Sequence, residues 1–412
     1  MNTNWNEFAI SAIGNVVGGG TPSTKHEEYY GDEISWITPK DLSNFKGRYI
    51  SRGERSISQK GYDNSSVQML PAGTVLFSSR APIGYVAIAQ NELCTNQGFK
   101  SVIPHPDVCD SEFLYYLLCY RRHDIEAIAS GTTFMEVSGT ALKNFIIQIP
   151  DIATQKKIAT VLSSLDKRIE GNNLINHNLE EQAKAIFKSW FIDAQDSNSW
   201  DSIPLKDLIA DMRNGDWGKD TPCGNSTEVA YCIRGADIPE VNAGNKGKMP
   251  IRYILPKNYA KKHLVEGDIV VEISGGSPTQ STGRCAVISQ ALLDRYNQKI
   301  VCTNFCKALK PLEGCSHFLY YYWTYLYEKG CFFAYENGTT GIKNLDITGI
   351  LENEFLSIPP IEMIEKFNEL CDKIAATIFA NGTENERLAQ LRDALLPKLM
   401  SGEIDVRKWK SK

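Results

Sequence analysis

Two stretches of this chain bunch positive charge beside tyrosine at the same place in each half. Residues 40–60 carry Lys40, Lys46, Arg48, Arg52, Arg55 and Lys60 against Asp41 and Glu54, with Tyr49 among them and Tyr62 just beyond. Residues 246–262 carry Lys246, Lys248, Arg252, Lys257, Lys261 and Lys262 with no acid, together with Tyr253 and Tyr259. Ammonium and guanidinium groups at this density can neutralise phosphates, and the phenol rings can pack against sugars or base edges. Most charge runs end as solvated loops, but recurrence in both halves favours the phosphate reading. Turns display further candidates. Ser78, Ser79 and Arg80 with Gly84 correspond to Ser274, Gly275, Gly276 and Ser277 with Arg284; Asn96 and Gln97 have side-chain amides suited to adenine, and Arg80, Arg234 or Arg284 could make the paired contact with guanine. Asn96 and Asn304 repeat strictly, whereas a residue that reads sequence should differ between halves reading different sequences, so these two are assigned to buried backbone groups.

No constellation for bond-breaking chemistry accompanies these residues. The six histidines, His26, His105, His123, His177, His263 and His317, repeat in no metal or triad spacing, and neither His-Glu-x-x-His nor Gly-x-Ser-x-Gly occurs. The run Gly18-Gly19-Gly20-Thr21-Pro22-Ser23-Thr24-Lys25 lacks the Gly-Lys-Ser/Thr ending of a phosphate loop, and Pro22 removes a backbone donor. A base methyltransferase would carry an Asn/Asp-Pro-Pro-aromatic motif and a glycine-rich loop for the methyl donor, and neither is found. Cys302, Cys306, Cys315 and His317 can be drawn as a zinc site, but only Cys302 has a counterpart, Cys94; buried reduced thiols are the better expectation for the eleven scattered cysteines. The chain is expected to be no enzyme and to need no cofactor or metal.

Composition sets the frame for these residues. With 412 residues, 42% of them hydrophobic and 23% charged, there is room for two or three domains with their own cores. A formal charge of −5 means that any attraction for phosphate is local or supplied by partners. No apolar run is long enough to span a bilayer and residues 1–7 do not resemble a signal peptide, so a cytoplasmic protein is expected.

The elements that must position the candidates come in duplicate, roughly 205 residues apart. Arg48-Tyr49-Ile50 returns as Arg252-Tyr253-Ile254, Cys94-Thr95-Asn96 as Cys302-Thr303-Asn304, Phe113-Leu114-Tyr115-Tyr116 as Phe318-Leu319-Tyr320-Tyr321, and Gly131-Thr132-Thr133 as Gly338-Thr339-Thr340. Each copy reads as a globular α+β region followed by a long helix. Strands are expected over residues 33–38, 74–78, 85–89 and 99–103, and over 229–233, 268–273, 285–289 and 307–309. A helix is expected over each Phe-Leu-Tyr-Tyr stretch, with Ser111 or Ser316 able to cap it.

The long helices carry coiled-coil seams. Ile158, Leu162, Leu165, Ile169, Asn172, Asn176, Leu179, Ala183, Ile186 and Trp190 advance in steps of four and three. About 209 residues on stand Phe367, Cys371, Ile374, Ile378, Asn381, Asn385, Leu388, Arg392, Leu395 and Leu399. One apolar stripe does not stabilise a helix alone, so Ile158, Leu162, Leu165, Ile169, Leu179, Ile186, Phe367, Ile374, Leu388 and Leu395 are candidate docking positions, for the sister helix or another chain. The matched asparagines can fix register, Gly171 and Asn381-Gly382 can interrupt the helices, and Arg392 could lie against a partner rather than the sister helix. Mutual antiparallel pairing would hold the globular regions apart; the alternative is that the stripes are core helices of one large domain.

This arrangement resembles the specificity subunit of Type I restriction-modification systems over nearly the whole chain. The resemblance rests on the doubled globular region, the Asn-containing strand, the Gly-Thr-Thr turn, the entries Ile149-Pro150-Asp151-Ile152 and Ile358-Pro359-Pro360-Ile361 into the helices, and Leu395 through Gly402 followed by Glu403-Ile404-Asp405-Val406. It implies target-recognition domains at residues 1–150 and 200–359, each reading half of an interrupted, asymmetric site in double-stranded DNA, and helical spacers at 151–199 and 360–412 that fix the gap. It also implies two adenine-methylating modification subunits docked on the helices, with ATP-using restriction subunits joining that core. A stand-alone DNA methyltransferase and a coiled-coil scaffold that never meets DNA are the competing readings.

Overall fold

The computed structural model describes residues 5–43, 45–131, 135–195, 199–277, 279–338 and 343–409. Its two compact units do not follow the chain in simple succession. The first takes residues 1–170 and 388–412, and the second takes 171–387. Each therefore contains one globular region and a length of both long helices.

In the first unit the strands Gly14–Gly18, Lys100–Pro104, Val75–Ser79, Ile83–Ala89 and Tyr49–Ile50 form a sheet in that order, and Ser56–Ile57, Tyr30–Ile37 and Cys94–Thr95 form a second. The second unit repeats the plan with Ile209–Asn214, Cys306–Pro311, Ile269–Glu272 and Cys285–Val287, and with Ile251–Ile254, Glu228–Ile233 and Ile300–Cys302. All eight expected strands are present, because each is a short apolar run bounded by turn residues. The Arg-Tyr-Ile repeat is not structurally equivalent, however. Tyr49–Ile50 runs parallel to Ile83–Ala89 in the larger sheet, whereas Ile251–Ile254 runs antiparallel to Glu228–Ile233 in the smaller one.

Each unit is closed by a two-stranded ladder between its first strand and the strand that leads into a long helix: Asn6–Ala9 with Ile146–Ile149, and Asp201–Pro204 with Phe355–Ile358. The short helices Ser111–Tyr120 and Ser316–Glu328 cover the sheets as expected, but neither serine caps one. The Asp110 side chain accepts from the Phe113 amide at 2.9 Å. In the second unit Asn368 on the long helix accepts from the Phe318 amide at 3.2 Å. An acceptor from a packed neighbour satisfies the first-turn donor as well as a local one does.

The long helices run unbroken over Ile152–Phe187 and Ile361–Met400. Gly171 and Gly382 do not interrupt them. Gly382 instead permits a close approach: a Cβ there would lie 1.9 Å from the Gly244 carbonyl oxygen. Within each unit the two helices pair antiparallel. In the second unit Asn172 Nδ2 donates to Asn385 Oδ1 at 2.9 Å, and Asn381 Nδ2 donates to Asn176 Oδ1 at 2.8 Å. Asn172 and Asn176 are the repeat equivalents of Asn381 and Asn385, so each partner is the equivalent of the other member of the pair, as a two-fold arrangement of duplicated helices requires. In the first unit Arg392 donates to Asp166 on the sister helix at 2.6 Å. Of the two places open to Arg392 it takes the sister helix: the seam arginine has a buried acid opposite it.

The docking candidates are largely occupied inside their own units. Ile158 and Leu162 are buried in the first core beside Leu399 and Val406, with Leu395 packed against it. Phe367 and Ile374 are buried in the second core beside Phe187 and Phe318, with Leu179 and Ile186 against it. Leu165, Ile169 and Leu388 are half-buried. Fully burying side chains of this size is worth about 1.5–3 kcal/mol each, which holds the helices to their modules.

Candidate nucleic-acid interface

In the first unit the basic stretch divides into surface and interior. Lys40, Lys46 and Arg52 are exposed; Lys40 meets Glu54 at 2.6 Å and Arg52 meets Asp32 at 2.6 Å, both pairs in solvent, where such contacts are weak. Arg48 is buried instead. Its guanidinium reaches Glu112 at 2.9 Å and Glu170 at 3.3 Å, with Asp166 at 3.8 Å, so its charge is neutralised in the interior and is not offered to phosphate. Tyr49 is partly exposed, but its hydroxyl donates to Glu112 at 2.7 Å. Ser79 is buried, and its hydroxyl donates to the Gly98 carbonyl.

Strand topology brings other first-unit candidates to one end. Gln97 is exposed on the turn after Cys94–Thr95 and accepts from the Thr21 hydroxyl. The Ser79 amide donates to the Gly98 carbonyl at 2.7 Å, which sets Arg80 beside that turn, where it meets Glu136 at 3.8 Å. Asn96 Oδ1 accepts from the Gly98 amide at 2.9 Å, the backbone role expected of it.

The second unit has the same end. Arg234 is held by both oxygens of Asp237 and donates to the Lys248 carbonyl at 2.8 Å. Arg284 makes a two-point contact with Glu272 at 2.7 and 2.8 Å, and Ser277 accepts from the Gln280 amide in its own turn. Lys246 lies over the Tyr296 ring. Arg252 is buried: it donates to the Trp217 carbonyl at 2.7 Å, bonds Asp220 and lies over the Trp217 ring, so it organises the surface and does not line it. Tyr253 is half-buried in its strand. Among the described residues the ammonium groups of exposed Lys248, Lys257 and Lys261 meet no acid. In the first unit exposed Arg55 lies over the Tyr30 ring, with no acid against it among the described residues. Thr132, Thr133, Thr339 and Thr340, the Gly-Thr-Thr turns, lie outside the described residues.

Beneath these surfaces each unit ties its tyrosine helix to the long helices through an acid, buried in the first unit and half-buried in the second. The Tyr116 hydroxyl bonds Asp166, which also receives Arg392. Its repeat equivalent, Tyr321, donates to Glu180 at 3.1 Å, and Tyr320 reaches the same carboxylate at 3.4 Å. Burial pushes the Tyr116 and Tyr321 hydroxyls above their ordinary pKa, and the neighbouring carboxylates add to it. Burial also raises the Glu180 carboxyl, against the pull of Lys184 and the tyrosine donors. Sequence reading missed both acids, because neither lies in a motif; the signal was an acid beside a seam facing a repeated tyrosine. It also missed the exposed Leu174, Ile175 and Leu391, apolar helix residues that lie off the seam.

The thiols are mostly interior: burial pushes Cys94, Cys109, Cys232, Cys285 and Cys306 up to about 12, which leaves them inert as nucleophiles. No helix among the described residues is long and apolar enough to cross a membrane.

Comparison with known proteins gives a consistent result. The family model described as the Type I restriction modification DNA specificity domain matches twice, over residues 2–181 and 199–390. The chain is 36% identical over 420 residues to the Type I restriction enzyme MjaIX specificity subunit of Methanocaldococcus jannaschii, covering 98% of this chain and 94% of that one. It is 24% identical to the Type I restriction enzyme HindI specificity subunit of Haemophilus influenzae, covering 96% of both. Among solved structures, the Type I restriction-modification S subunit from M. genitalium matches in fold with a TM-score of 0.58 at 17% identity, over 97% of this chain and 96% of that one.

Proposed function

The chain belongs to the family of Type I restriction-modification specificity subunits and is a non-catalytic DNA specificity subunit; on that premise we propose that each unit reads one half of a bipartite, asymmetric site, with the paired helices setting the gap. The observation that carries this reading is the two-fold exchange of seam partners, Asn172 with Asn385 and Asn176 with Asn381, which favours one register of the duplicated helices and hence one spacing. The reading surface is the strand end that carries Arg80 and Gln97 in the first unit, and Arg234, Lys248 and Arg284 in the second. Lys40, Lys46, Arg52, Lys257 and Lys261 supply phosphate contacts. Two modification subunits dock along the helices, on outer faces such as that of Leu174 and Ile175, and bring the methyl chemistry; restriction subunits join them in the cytoplasm. Enclosure of the duplex by these partners accounts for DNA binding by a chain of net charge −5.

The test is a footprint of the chain assembled with an adenine-methylating modification subunit. Two protected segments separated by a gap are expected. Reversing charge at Lys257 and Lys261 should weaken binding at all sequences and lower the salt slope by about one per lysine. A single continuous short footprint, or methyl transfer by the purified chain alone, contradicts the proposal.

A further inference from the structure

Of Arg80, Arg234 and Arg284, one alone is both held in place and left with two neighbouring donors. Arg80 is tethered only loosely, by Glu136 at 3.8 Å. Arg234 gives Nε and Nη2 to Asp237 at 2.8 and 3.1 Å, and its Nη2 also donates to the Lys248 carbonyl, so only Nη1 remains. Arg284 gives Nε and Nη2 to the two oxygens of Glu272 at 2.8 and 2.7 Å, while Nη1 and the second hydrogen of Nη2 meet no acceptor among the described residues. Its side chain is 26% exposed, whereas that of Glu272 is 7% exposed. The carboxylate is itself confined, since a Cβ on Gly235 would lie 2.3 Å from Glu272 Oε1. The backbone under Arg284 is fixed as well. Its carbonyl accepts from the Glu272 amide at 2.8 Å, and buried Trp323 donates to the Gly283 carbonyl at 2.7 Å.

The fold does not require this pair. Strand register puts Glu272 and Arg284 where the first unit has Ser78 and Tyr85: Val271 faces Cys285 as Phe77 faces Val86, and the Ile273 amide donates to the Phe305 carbonyl as the Ser79 amide does to the Gly98 carbonyl. There the Ser78 hydroxyl accepts from the Tyr85 amide and donates to the Pro82 carbonyl, each at 2.8 Å, and both residues are neutral. Burying a carboxylate beside an arginine is costly where a neutral pair closes the same position. We infer that Glu272 is a positioning residue for sequence reading: by taking the Nε–Nη2 edge of Arg284 it presents the Nη1–Nη2 edge to O6 and N7 of a guanine in the half-site read by the second unit; this rests on the DNA reading above. Two parallel donors need two adjacent acceptors, and guanine is the one base that offers them in the major groove. Adenine sets a donor beside its N7, thymine has a single acceptor and cytosine a donor. A guanidinium held before DNA arrives also loses less side-chain freedom on binding.

The experiment uses the chain assembled with its modification subunit and duplexes bearing the site that this complex methylates. Each guanine in the half read by the second unit, on either strand, is replaced in turn by 7-deazaguanine, which removes the N7 acceptor and leaves base pairing intact. At one position the replacement should weaken binding about tenfold, the value of a hydrogen bond from a charged donor. R284K, which keeps the charge without the planar fork, should bind the unmodified site about tenfold less well and be indifferent to that replacement. E272Q keeps one acceptor and loses the other; it should lose most of the sensitivity at that position and keep it at the others. A uniform loss of binding by E272Q at every duplex, or wild-type sensitivity at that position, removes the positioning role of Glu272. If the wild-type complex is indifferent to every replacement, or R284K still senses the same one, the assignment of Arg284 falls while the DNA reading stands. If the assembled complex prefers no duplex sequence at all, the DNA reading falls and takes the assignment with it.

Discussion

The two units share a strand order but treat the acid that faces the tyrosine helix differently. In the first, Asp166 has Arg392 at 2.6 Å and Arg48 at 3.8 Å, with the Tyr116 hydroxyl beside them. In the second, Glu180 meets the hydroxyls of Tyr320 and Tyr321 and makes no ion pair among the described residues. The repeat equivalents of Asp166 and Arg392 are Ala375 and Ala183, and Ala375 lines a small cavity of about 50 Å³ beside Glu180. Two duplicated modules can diverge in this way because losing both members of a buried pair costs little, whereas losing one leaves the other uncompensated. What is repeated is the tyrosine tied to an acid on a long helix, not the identity or position of the acid.

The comparison is broken most forcefully at Asp166. D166A leaves Arg392 and the Tyr116 hydroxyl without their shared acceptor and removes one of three acids around Arg48, and should destabilise the first unit by about 3–5 kcal/mol, read as faster hydrogen exchange over residues 113–118. Adding R392A should recover part of that loss, a coupling of roughly 0.5–3 kcal/mol; strict additivity would argue against the pair. A smaller effect is expected at the seam. N176A removes the acceptor of Asn381 and the donor to the Ala243 and Ile378 carbonyls, and should cost about 1–3 kcal/mol in the second unit.

The smallest effect sharpens the contrast through pH. Glu180 has a raised pKa in the folded chain, so its neutral form is the one the fold favours. The stability linked to it is present below the ordinary glutamate range and is lost as pH rises through the raised value. E180Q should therefore flatten the pH dependence of the second unit's stability without harm near neutrality, measured by hydrogen exchange over residues 318–326. An unchanged pH profile would show that Glu180 does not titrate as described.

The fold was legible where local rules decide it. The eight strands, the two tyrosine helices and the two seams all follow from apolar period and turn chemistry. The interface was less legible, because topology decides which charges reach solvent. Arg48 and Arg252 stand in basic stretches like their exposed neighbours, yet each is drawn inside by acids or carbonyls remote in sequence. Glu112 and Glu170 draw in the first; Asp220 and the Trp217 carbonyl draw in the second. The Arg-Tyr-Ile repeat misled for the same reason, since pairing partners and not strand sequence assign those residues to different sheets. Gly171 and Gly382 suggested breaks, but packing over 36 and 40 residues outweighs the roughly 1 kcal/mol penalty of each glycine.

The central claim is that each globular region reads one half of the site and the helices fix the gap. Its most direct test exchanges residues 5–150 for those of a relative with a different site, assembles the chain with its modification subunit, and maps adenine methylation across plasmid DNA. One half of the methylated sequence should change, while the other half and the number of base pairs between them stay the same. A change in both halves, or in the gap, would contradict the account.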